Sequence, residues 1–365
     1  MLAESNPGGS HLNSTRIVAI VPAHNEQDSI VAAIEALLAQ TRSLDEIIIA
    51  CDNCTDETVQ ISERFPVTVI ETSGNKHRKS GALNLAWQTR AQSADIIVCS
   101  DGDTVLPPHA VADWEQEFAA NPRLGGSSSQ PVMTGHGLLP RIQRAEFARS
   151  YTTGLRRGST SVISGTGCAF RTDALAELCP LRPEGTGPWS YESSVEDFEL
   201  TYRLRQMRWV CVVSPTVYCH TGSMKSLKAL WHQRIKWQAG TLHDLISFGL
   251  NRLTWREWLQ QALGLMCIVF WFLWITSNIA TVASTGSVQL NWVWLLFPLA
   301  FAGVEVMHTM KIRGRDWKDL VIAGSLLSSC IYTWLCMGWV SASWWKVISG
   351  SKDDLWAAQY SAEGA

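Results

Sequence analysis

Two long stretches without charge constrain this chain more than any other feature of its sequence. No Asp, Glu, Lys or Arg occurs in residues 258–304 or in residues 320–345. A membrane-crossing helix needs about 20 apolar residues, so the first stretch can hold two helices joined by a turn at 284–291. Soluble core helices seldom run this long without charge. We therefore predict an integral membrane protein with spans at about 262–283, 291–309 and 320–344.

The distribution of Trp and of basic residues predicts how the chain meets the membrane. Fourteen of the 18 Trp residues lie from Trp231 onward, and Trp is enriched at membrane interfaces. Basic residues are frequent before the first span and in the loop 311–319, but the turn 284–291 has none. The positive-inside rule then places residues 1–260 and the 311–319 loop in the cytoplasm. It places the C-terminal tail on the opposite side.

This pattern divides the chain into five segments. Residues 225–258 combine helical periodicity with basic side chains, which is typical of amphipathic helices at a membrane surface. The N-terminus is polar and has no signal peptide. We predict a disordered segment 1–15, an α/β domain 16–224, interfacial helices 225–258, membrane helices 259–345 and a tail 346–365. The net charge of −3 gives no reason to expect a nucleic-acid partner.

The N-terminal part reads as alternating strands and helices. Strands are predicted at "RIVAIVP" (16–22), "EIIIAC" (46–51), "VTVIE" (67–71) and "DIIVCS" (95–100), with helical patterns between them. Continuous apolar strands alternating with helices indicate a parallel sheet covered on both faces. Such sheets bind ligands at the carboxyl ends of their strands.

Acidic and polar residues follow three of these strands. They occur in "PAHNE" (22–26), "CDNCTD" (51–56) and "SDGDT" (100–104). The carboxylates of Asp101 and Asp103, two residues apart on a turn, can both reach one hard divalent cation that also binds phosphates. Lys79 begins a predicted helix, where both the side chain and the helix end favour an anion. The lone C-x-x-C at 51–54 lacks a second ligand pair, so zinc is not expected.

Seven motifs then occur in a recognisable order between Arg16 and Gly240. They are "PAHNE", "CDNCTD", "KSGALN", "SDGD", "SGTGCAFR", "VED" and "QRIKW". Together they resemble the membrane-integrated family 2 glycosyltransferases with a GT-A domain. That group includes cellulose, chitin and hyaluronan synthases and chitooligosaccharide synthases. The resemblance implies inverting transfer of a sugar from a UDP-sugar to a growing glycan at the cytoplasmic membrane face.

The resemblance also assigns residues to the donor. Asp52 corresponds to the residue that reads the uracil or ribose, and Asp103 to the more direct ligand of Mg²⁺ or Mn²⁺, with Asp101 as its partner. The loop that wraps the nucleotide contains Pro22 to Glu26. The full set of implied donor-binding residues is Pro22, Ala23, Glu26, Asp52, Lys79 and Asp101.

On the acceptor side the resemblance makes Asp197 the general base, and we expect its neighbour Glu196 to be an acceptor-side or orienting partner. Ser194 precedes Asp197 by the spacing of a capping box, so Asp197 can also be read as part of a helix cap. The motif "QRIKW" assigns the acceptor to Gln233, Arg234 and Trp237. Lys236 stands where the family usually has Arg, which leaves its contact with phosphate or product open.

Several alternatives remain open from the sequence. Three spans are few for a polymer channel, so a homo-oligomer or transfer of a single sugar to a lipid carrier is also considered. A catalytically dead scaffold or sensor is disfavoured because every expected acidic position is filled. Glu305 is either a functional acid within the membrane or a solvated residue at its interface. The expected partners are the UDP-sugar, a glycan or lipid-linked acceptor, and membrane lipids.

Overall fold

A seven-stranded mixed sheet organises the N-terminal two thirds of the chain. The computed structural model describes residues 15–182, 187–287, 296–312, 314–351 and 353–363. The strand order is β3-β2-β1-β4-β6-β5-β7. The strands are β1 Ile17–Ala23, β2 Glu46–Asp52, β3 Thr68–Thr72, β4 Ile96–Ser100, β5 Leu124–Met133, β6 Gly167–Arg171 and β7 Val210–Thr221.

The first four strands confirm the predicted parallel sheet. β1 pairs in parallel with β2 and β4, and β2 pairs in parallel with β3. The second half of the sheet differs from the predicted parallel arrangement. There β6 runs antiparallel to both β4 and β5, while β5 and β7 are parallel to each other. The sheet is therefore mixed. A parallel sheet describes only its first half.

Helices cover both faces of the sheet. Alternate side chains of β1 enter opposite cores: Ile17 and Val21 pack on one side, Val18 and Ile20 on the other. This two-sided burial explains the uninterrupted apolar run in the sequence. The helices of this domain are α1 Ile30–Leu38, α2 Thr58–Ser62, α3 Arg78–Ala86, α4 Ala110–Ala120, α5 Leu138–Arg157, α6 Thr172–Ala176 and α7 Glu196–Gln206.

Within the described residues, six further helices follow the sheet. They are α8 Leu227–Phe248, α9 Trp255–Thr285, α10 Leu296–Thr309, α11 Trp317–Gly324, α12 Leu326–Ile348 and α13 Leu355–Glu363. The predicted amphipathic helix is present as α8, but it does not lie on an open surface. Its residues Arg234 and Lys236 are buried, and α12 and α13 pack along it.

One helix in the described part of the chain, α9, is long and apolar enough to cross a membrane by length and composition. None of its residues is buried within the protein. The other predicted spans are not confirmed. Residues 291–295 of the second lie outside the described residues, and the third is divided at Ser325 between α11 and α12.

Glu305 on α10 is neither free in an apolar layer nor simply solvated. Its Oε1 accepts a hydrogen bond from Arg149 Nη1 of α5 at 2.6 Å. Asp319 on α11 similarly pairs with Arg141 and Arg144 of α5. These ion pairs join the C-terminal helices directly to the sheet domain.

The C-terminal tail contacts the sheet domain, so both lie on the same side of any membrane. α13 packs against α8, and Asp354 just before it forms an ion pair with Arg78 at the start of α3. The expectation that the tail lies on the opposite side of a membrane is therefore wrong. The positive-inside rule places the tail opposite the sheet domain only if the number of membrane crossings is odd.

Candidate active site

One edge of the sheet collects most of the polar residues singled out from the sequence. The carboxyl ends of β1, β2 and β4 lie there because these strands are parallel. The start of the antiparallel strand β6 reaches the same edge, with Gly167 opposite Ser100. β7 also ends there, which brings Thr221 and Gly222 to Asp103.

Asp52 ends β2 in a recess built from hydrogen bonds. Its Oδ1 accepts from Thr72 Oγ1 at 2.7 Å, from Asn75 Nδ2 at 2.7 Å and from Asn53 Nδ2 at 3.1 Å. The backbone oxygen of Asp52 lies 2.6 Å from Nδ1 of His24. The carboxylate is thus held rigidly at the strand end. The sequence did not identify Thr72 or Asn75, whose role depends on the pairing of β2 with β3.

Asp101 and Asp103 flank the turn that follows β4. Asp103 Oδ1 accepts from the hydroxyls of Thr221 and Thr104 at 3.1 and 3.2 Å, and its Oδ2 accepts from the Gly222 N–H at 3.1 Å. Burial and the nearby Asp101 carboxylate raise the pKa of Asp103 above its usual value. A cation would relieve this repulsion.

Asp101 and Asp103 can bind a cation if oxygen atoms from other groups supply its remaining ligands. Among the described residues, no group of three or more His, Cys, Asp or Glu is arranged to hold a metal ion. Two carboxylates are nevertheless the number with which Mg²⁺ is commonly held beside a substrate's phosphates. The donor set therefore suits a hard divalent cation whose coordination is completed by phosphate and water.

Glu26 lies on the acidic side of the site. Its side chain packs close to Gly102, where an added Cβ would be 3.0 Å from Glu26 Cγ. Burial raises the pKa of Glu26 to about 7, and the carboxylates of Asp103 and Asp101 act in the same direction. Pro22 and Ala23 end β1 as buried strand residues. The loop assigned to the nucleotide thus also borders the Asp101–Asp103 turn.

Lys79 joins the two acidic parts of the site. From the first turn of α3, its Nζ donates to Asp101 Oδ1 at 2.5 Å and lies 3.6 Å from Glu196 Oε1. Burial lowers its pKa, but Asp101 and Glu196 outweigh burial and keep the ammonium charged. Gly165 makes this position possible, because a Cβ there would lie 2.7 Å from Nζ.

Glu196 and Asp197 begin α7 beside Lys79. Val195 occupies the N-cap position without a side-chain hydrogen bond, so the predicted Ser194 cap is wrong. Asp197 Oδ1 instead accepts from the backbone N–H of Phe198 at 2.8 Å. Burial and then the Glu196 carboxylate raise the pKa of Asp197 to about 6, while Lys79 opposes them. A carboxyl group with this pKa can accept a proton at neutral pH.

Lys236 is a site residue whose contacts the sequence alone left open. It is 4% exposed, and its Nζ lies 3.1 Å from the centroid of the Trp356 ring on α13. Burial lowers its pKa to about 8, although Glu196 and Asp197 favour the charged form. The sequence signal that Lys236 belongs to the site is its position in the motif "QRIKW".

The three residues assigned to the acceptor have different surroundings. Arg234 is buried, pairs with Glu146 of α5 at 2.7 Å and lies over the Trp237 ring at 4.4 Å. It also donates to the side chain of Gln233. Arg234 therefore braces α8 against α5. Contact of Gln233, Arg234 or Trp237 with an acceptor stays a prediction.

Comparison with protein families matches residues 18–179 to the model "Glycosyl transferase family 2". Two curated relatives are poly-beta-1,6-N-acetyl-D-glucosamine synthases. The protein from Staphylococcus aureus strain MSSA476 is 26% identical over 236 residues, which cover 61% of this chain and 54% of the relative. The one from Staphylococcus epidermidis is 25% identical over 261 residues, covering 69% and 59%. The chain spans about half the length of the curated relatives it matches.

Among solved structures, the chain is similar to the mannosyltransferase PcManGT from Pyrobaculum calidifontis, determined with GDP-Man and Mn²⁺. The TM-score is 0.61 at 17% identity, with 92% of this chain and 88% of that chain covered. At this identity the likeness shows a shared fold. It confirms the GT-A architecture expected from the motifs.

Proposed function

Residues 18–179 belong to glycosyl transferase family 2, and from this premise we propose that the protein moves a sugar from a UDP-sugar to a growing glycan. The transfer inverts the anomeric centre. This activity also fits the names of the curated relatives, which polymerise N-acetylglucosamine.

The observation that carries the proposal is the contact of Lys79 with both acidic groups. Through Asp101 and Glu196, this lysine links the turn at the end of β4 to the start of α7. A candidate site for a phosphate-binding cation and a candidate proton acceptor therefore lie on either side of this lysine. Sugar transfer requires this juxtaposition, because the leaving group and the nucleophile act on opposite sides of one carbon.

The chemistry assigned to the chain is a single displacement. An acceptor hydroxyl oxygen bonds to C1 of the donor sugar as the bond from C1 to the diphosphate oxygen breaks. Asp197 takes the hydroxyl proton, for which its pKa of about 6 is suited. The electron pair leaves with the nucleoside diphosphate. Lys79 and Lys236 supply positive charge beside that group.

Asp103 and Asp101 would hold Mg²⁺ or Mn²⁺ in this site. When bound, the cation neutralises the departing diphosphate and makes it a better leaving group. Thr221, Thr104 and Gly222 orient Asp103 through its two oxygens. Asp52, fixed by Thr72 and Asn75, would accept hydrogen bonds from the uracil or ribose.

The same proposal places the enzyme in a membrane, with the sheet domain in the cytoplasm. Its support is the exposed apolar helix α9 and the charge-free sequence around it. A cytoplasmic active site has direct access to nucleotide sugars. The predicted homo-oligomer belongs to this proposal as well.

The test is a donor screen on the purified full chain in detergent with Mn²⁺. UDP release is measured with a panel of UDP-sugars that includes UDP-N-acetylglucosamine, and radiolabelled products are sized. A ladder of products supports chain elongation, whereas a single lipid-linked sugar supports the alternative acceptor. The absence of Mn²⁺-dependent turnover with every donor, in a preparation that remains folded, would contradict the proposed activity.

A further inference from the structure

A pair of cysteines lies at the turn that follows β2, and the transfer proposed above uses neither of them. Cys51 is the buried penultimate residue of β2, and Cys54 is a half-buried residue three positions later. Both side chains lie on the same face of the sheet, since both pack in the apolar cluster that contains Ile49. In a reducing compartment, a C-x-x-C pair among alternating strands and helices is typical of thiol–disulfide chemistry.

The register of the sheet brings the two sulfurs together. Cys51 is paired with Ala23 of β1, and the Cys54 thiol donates a hydrogen bond to the backbone oxygen of the same Ala23 at 3.4 Å. The chain turns between them at Asn53, which has left-handed backbone angles with a φ of 47°. The two thiols are hydrogen-bonded to each other. They can therefore form a disulfide without a rearrangement of the strands.

The two thiols differ in reactivity. The hydrogen bond with Cys51 lowers the pKa of Cys54, and a backbone hydrogen bond from Asn25 acts in the same direction, although burial opposes both. The hydrogen bond with Cys54 and burial raise the pKa of Cys51. An accessible thiol with a lowered pKa is the one that attacks a small disulfide, and a second thiol beside it completes the exchange. Cys54 is therefore suited to react first and Cys51 to resolve the intermediate.

The turn between the cysteines holds the carboxylate assigned to the donor. Asp52 and Asn53 are the two enclosed residues. Asn53 donates its side-chain amide to Asp52 Oδ1 at 3.1 Å and its backbone N–H to Thr72 Oγ1 at 3.2 Å. A covalent S–S bond is shorter than a hydrogen bond between thiols, so oxidation draws Cys54 away from Ala23 and contracts the turn. This contraction disturbs the hydrogen bonds that orient Asp52.

We propose that Cys51 and Cys54 are a reversible modification site at which a small-molecule disulfide, such as glutathione disulfide, lowers the affinity of the protein for the nucleotide. The inference rests on the proposed function in one respect, which is that Asp52 binds the uracil or ribose.

The modification is an exchange of thiols and disulfides. The Cys54 thiolate bonds to one sulfur of glutathione disulfide, and the other sulfur leaves as a glutathione thiolate. Cys51 then gives its proton to solvent and bonds to the Cys54 sulfur, which expels the second glutathione. The two protein thiols lose two electrons and two protons in total, and one glutathione disulfide is reduced to two glutathione thiols.

The test compares the reduced and oxidised full chain in detergent, with excess glutathione disulfide as the oxidant. Peptide mass spectrometry after alkylation reads the state of both cysteines, and calorimetry measures the Kd for UDP with Mn²⁺. The variants are Cys54→Ser, whose hydroxyl can still accept from Asn25, and Cys51→Ala, which keeps a small side chain in the core. The matched control is Cys179→Ser, because Cys179 is half-buried like Cys54 but burial raises its pKa.

We expect glutathione disulfide to join Cys51 to Cys54 and to raise the Kd for UDP about tenfold, the effect of losing one hydrogen bond to a charged group. Dithiothreitol should reverse both changes. Cys54→Ser should bind UDP as the reduced wild type does and should not respond to the oxidant. Cys51→Ala should retain a glutathione adduct on Cys54, and Cys179→Ser should behave as the wild type.

Two results would overturn the inference. One is the absence of a disulfide between Cys51 and Cys54, and the other is a disulfide that leaves the Kd for UDP unchanged. A reduced wild type that does not bind UDP would contradict the proposed function instead, and the mass spectra would still decide whether the pair forms a disulfide.

Discussion

Asp197 experiences opposing electrostatic effects, and these predict how the reaction depends on pH. Burial and Glu196 raise its pKa to about 6, whereas Lys79 favours the carboxylate. A base must be ionised, so kcat/KM should rise with pH and reach half its plateau near pH 6.

Asp197→Asn should lower transfer by about 100-fold or more while leaving UDP binding intact. Steady-state pH profiles and calorimetric UDP titration measure both effects. Wild-type turnover in the variant would exclude the base assignment.

The same raised pKa predicts a pH-dependent effect on stability. A carboxyl group whose pKa is higher in the folded state favours folding at low pH, and this contribution is lost as pH rises through about 6. Asp197→Asn should therefore raise the melting temperature at pH 8 and have little effect at pH 4. Thermal unfolding of both proteins at the two pH values checks this. A lower melting temperature at pH 8 would contradict it.

At the residue scale, the sequence predicted side chains that stand in recognisable motifs. Asp52, Asp101 and Asp103 follow strands, and their common edge follows from parallel pairing. Thr72 and Asn75 could not be found in this way, because they act through hydrogen bonds to a neighbouring strand end. Thr221 was equally hidden, since its contact with Asp103 joins residues 118 positions apart.

At the scale of elements, α5 connects the sheet domain to the C-terminal helices. Its Arg149 pairs with Glu305, and both side chains are largely shielded from water. Removing one partner leaves the other charge poorly solvated, so Glu305→Gln and Arg149→Gln should each lower the melting temperature. The double variant should be less destabilised than the sum, with a coupling of about 1 kcal/mol. A double-mutant cycle by chemical denaturation measures this coupling. Strict additivity would show that the pair contributes nothing.

α13 lies over two parts of the donor side. Trp356 covers Lys236, and the Tyr360 ring lies 4.9 Å from that of His24, next to Asp52. Trp356→Ala removes a cation–π contact of about 1 kcal/mol and should raise the donor KM several-fold. The matched control is Trp345→Ala, an exposed Trp on α12. An unchanged donor KM in the Trp356 variant would mean that α13 does not assist donor binding.

Elements were predictable where their sequence pattern is local. β1 to β4 are short apolar runs between turns, and their bounds were predicted within one or two residues. β5 reads "LGGSSSQPVM", which lacks the β-branched pattern of a strand although every residue is buried. α13 is short, and its position depends on α8 and Arg78 rather than on its own periodicity.

For the whole molecule, α9 determines the expected behaviour in a cell. Its apolar side chains, among them Phe272 and Leu273, are exposed along a 31-residue helix. We expect the protein to stay with membranes after alkaline carbonate extraction. The double variant Phe272→Lys, Leu273→Lys should lower that fraction, because charges at the centre of a span cost about 3 kcal/mol each. Immunoblots of the two fractions measure it. Complete release of the wild type would contradict membrane insertion.

The docked C-terminal helix also has a consequence for topology. α8 precedes the apolar region and α13 follows it, yet the two pack against each other. A chain that leaves and rejoins one domain must cross any bilayer an even number of times. If α9 crosses, the chain must return before Glu305 meets Arg149. The requirement for an even number of crossings therefore favours a single membrane hairpin over three membrane-spanning helices.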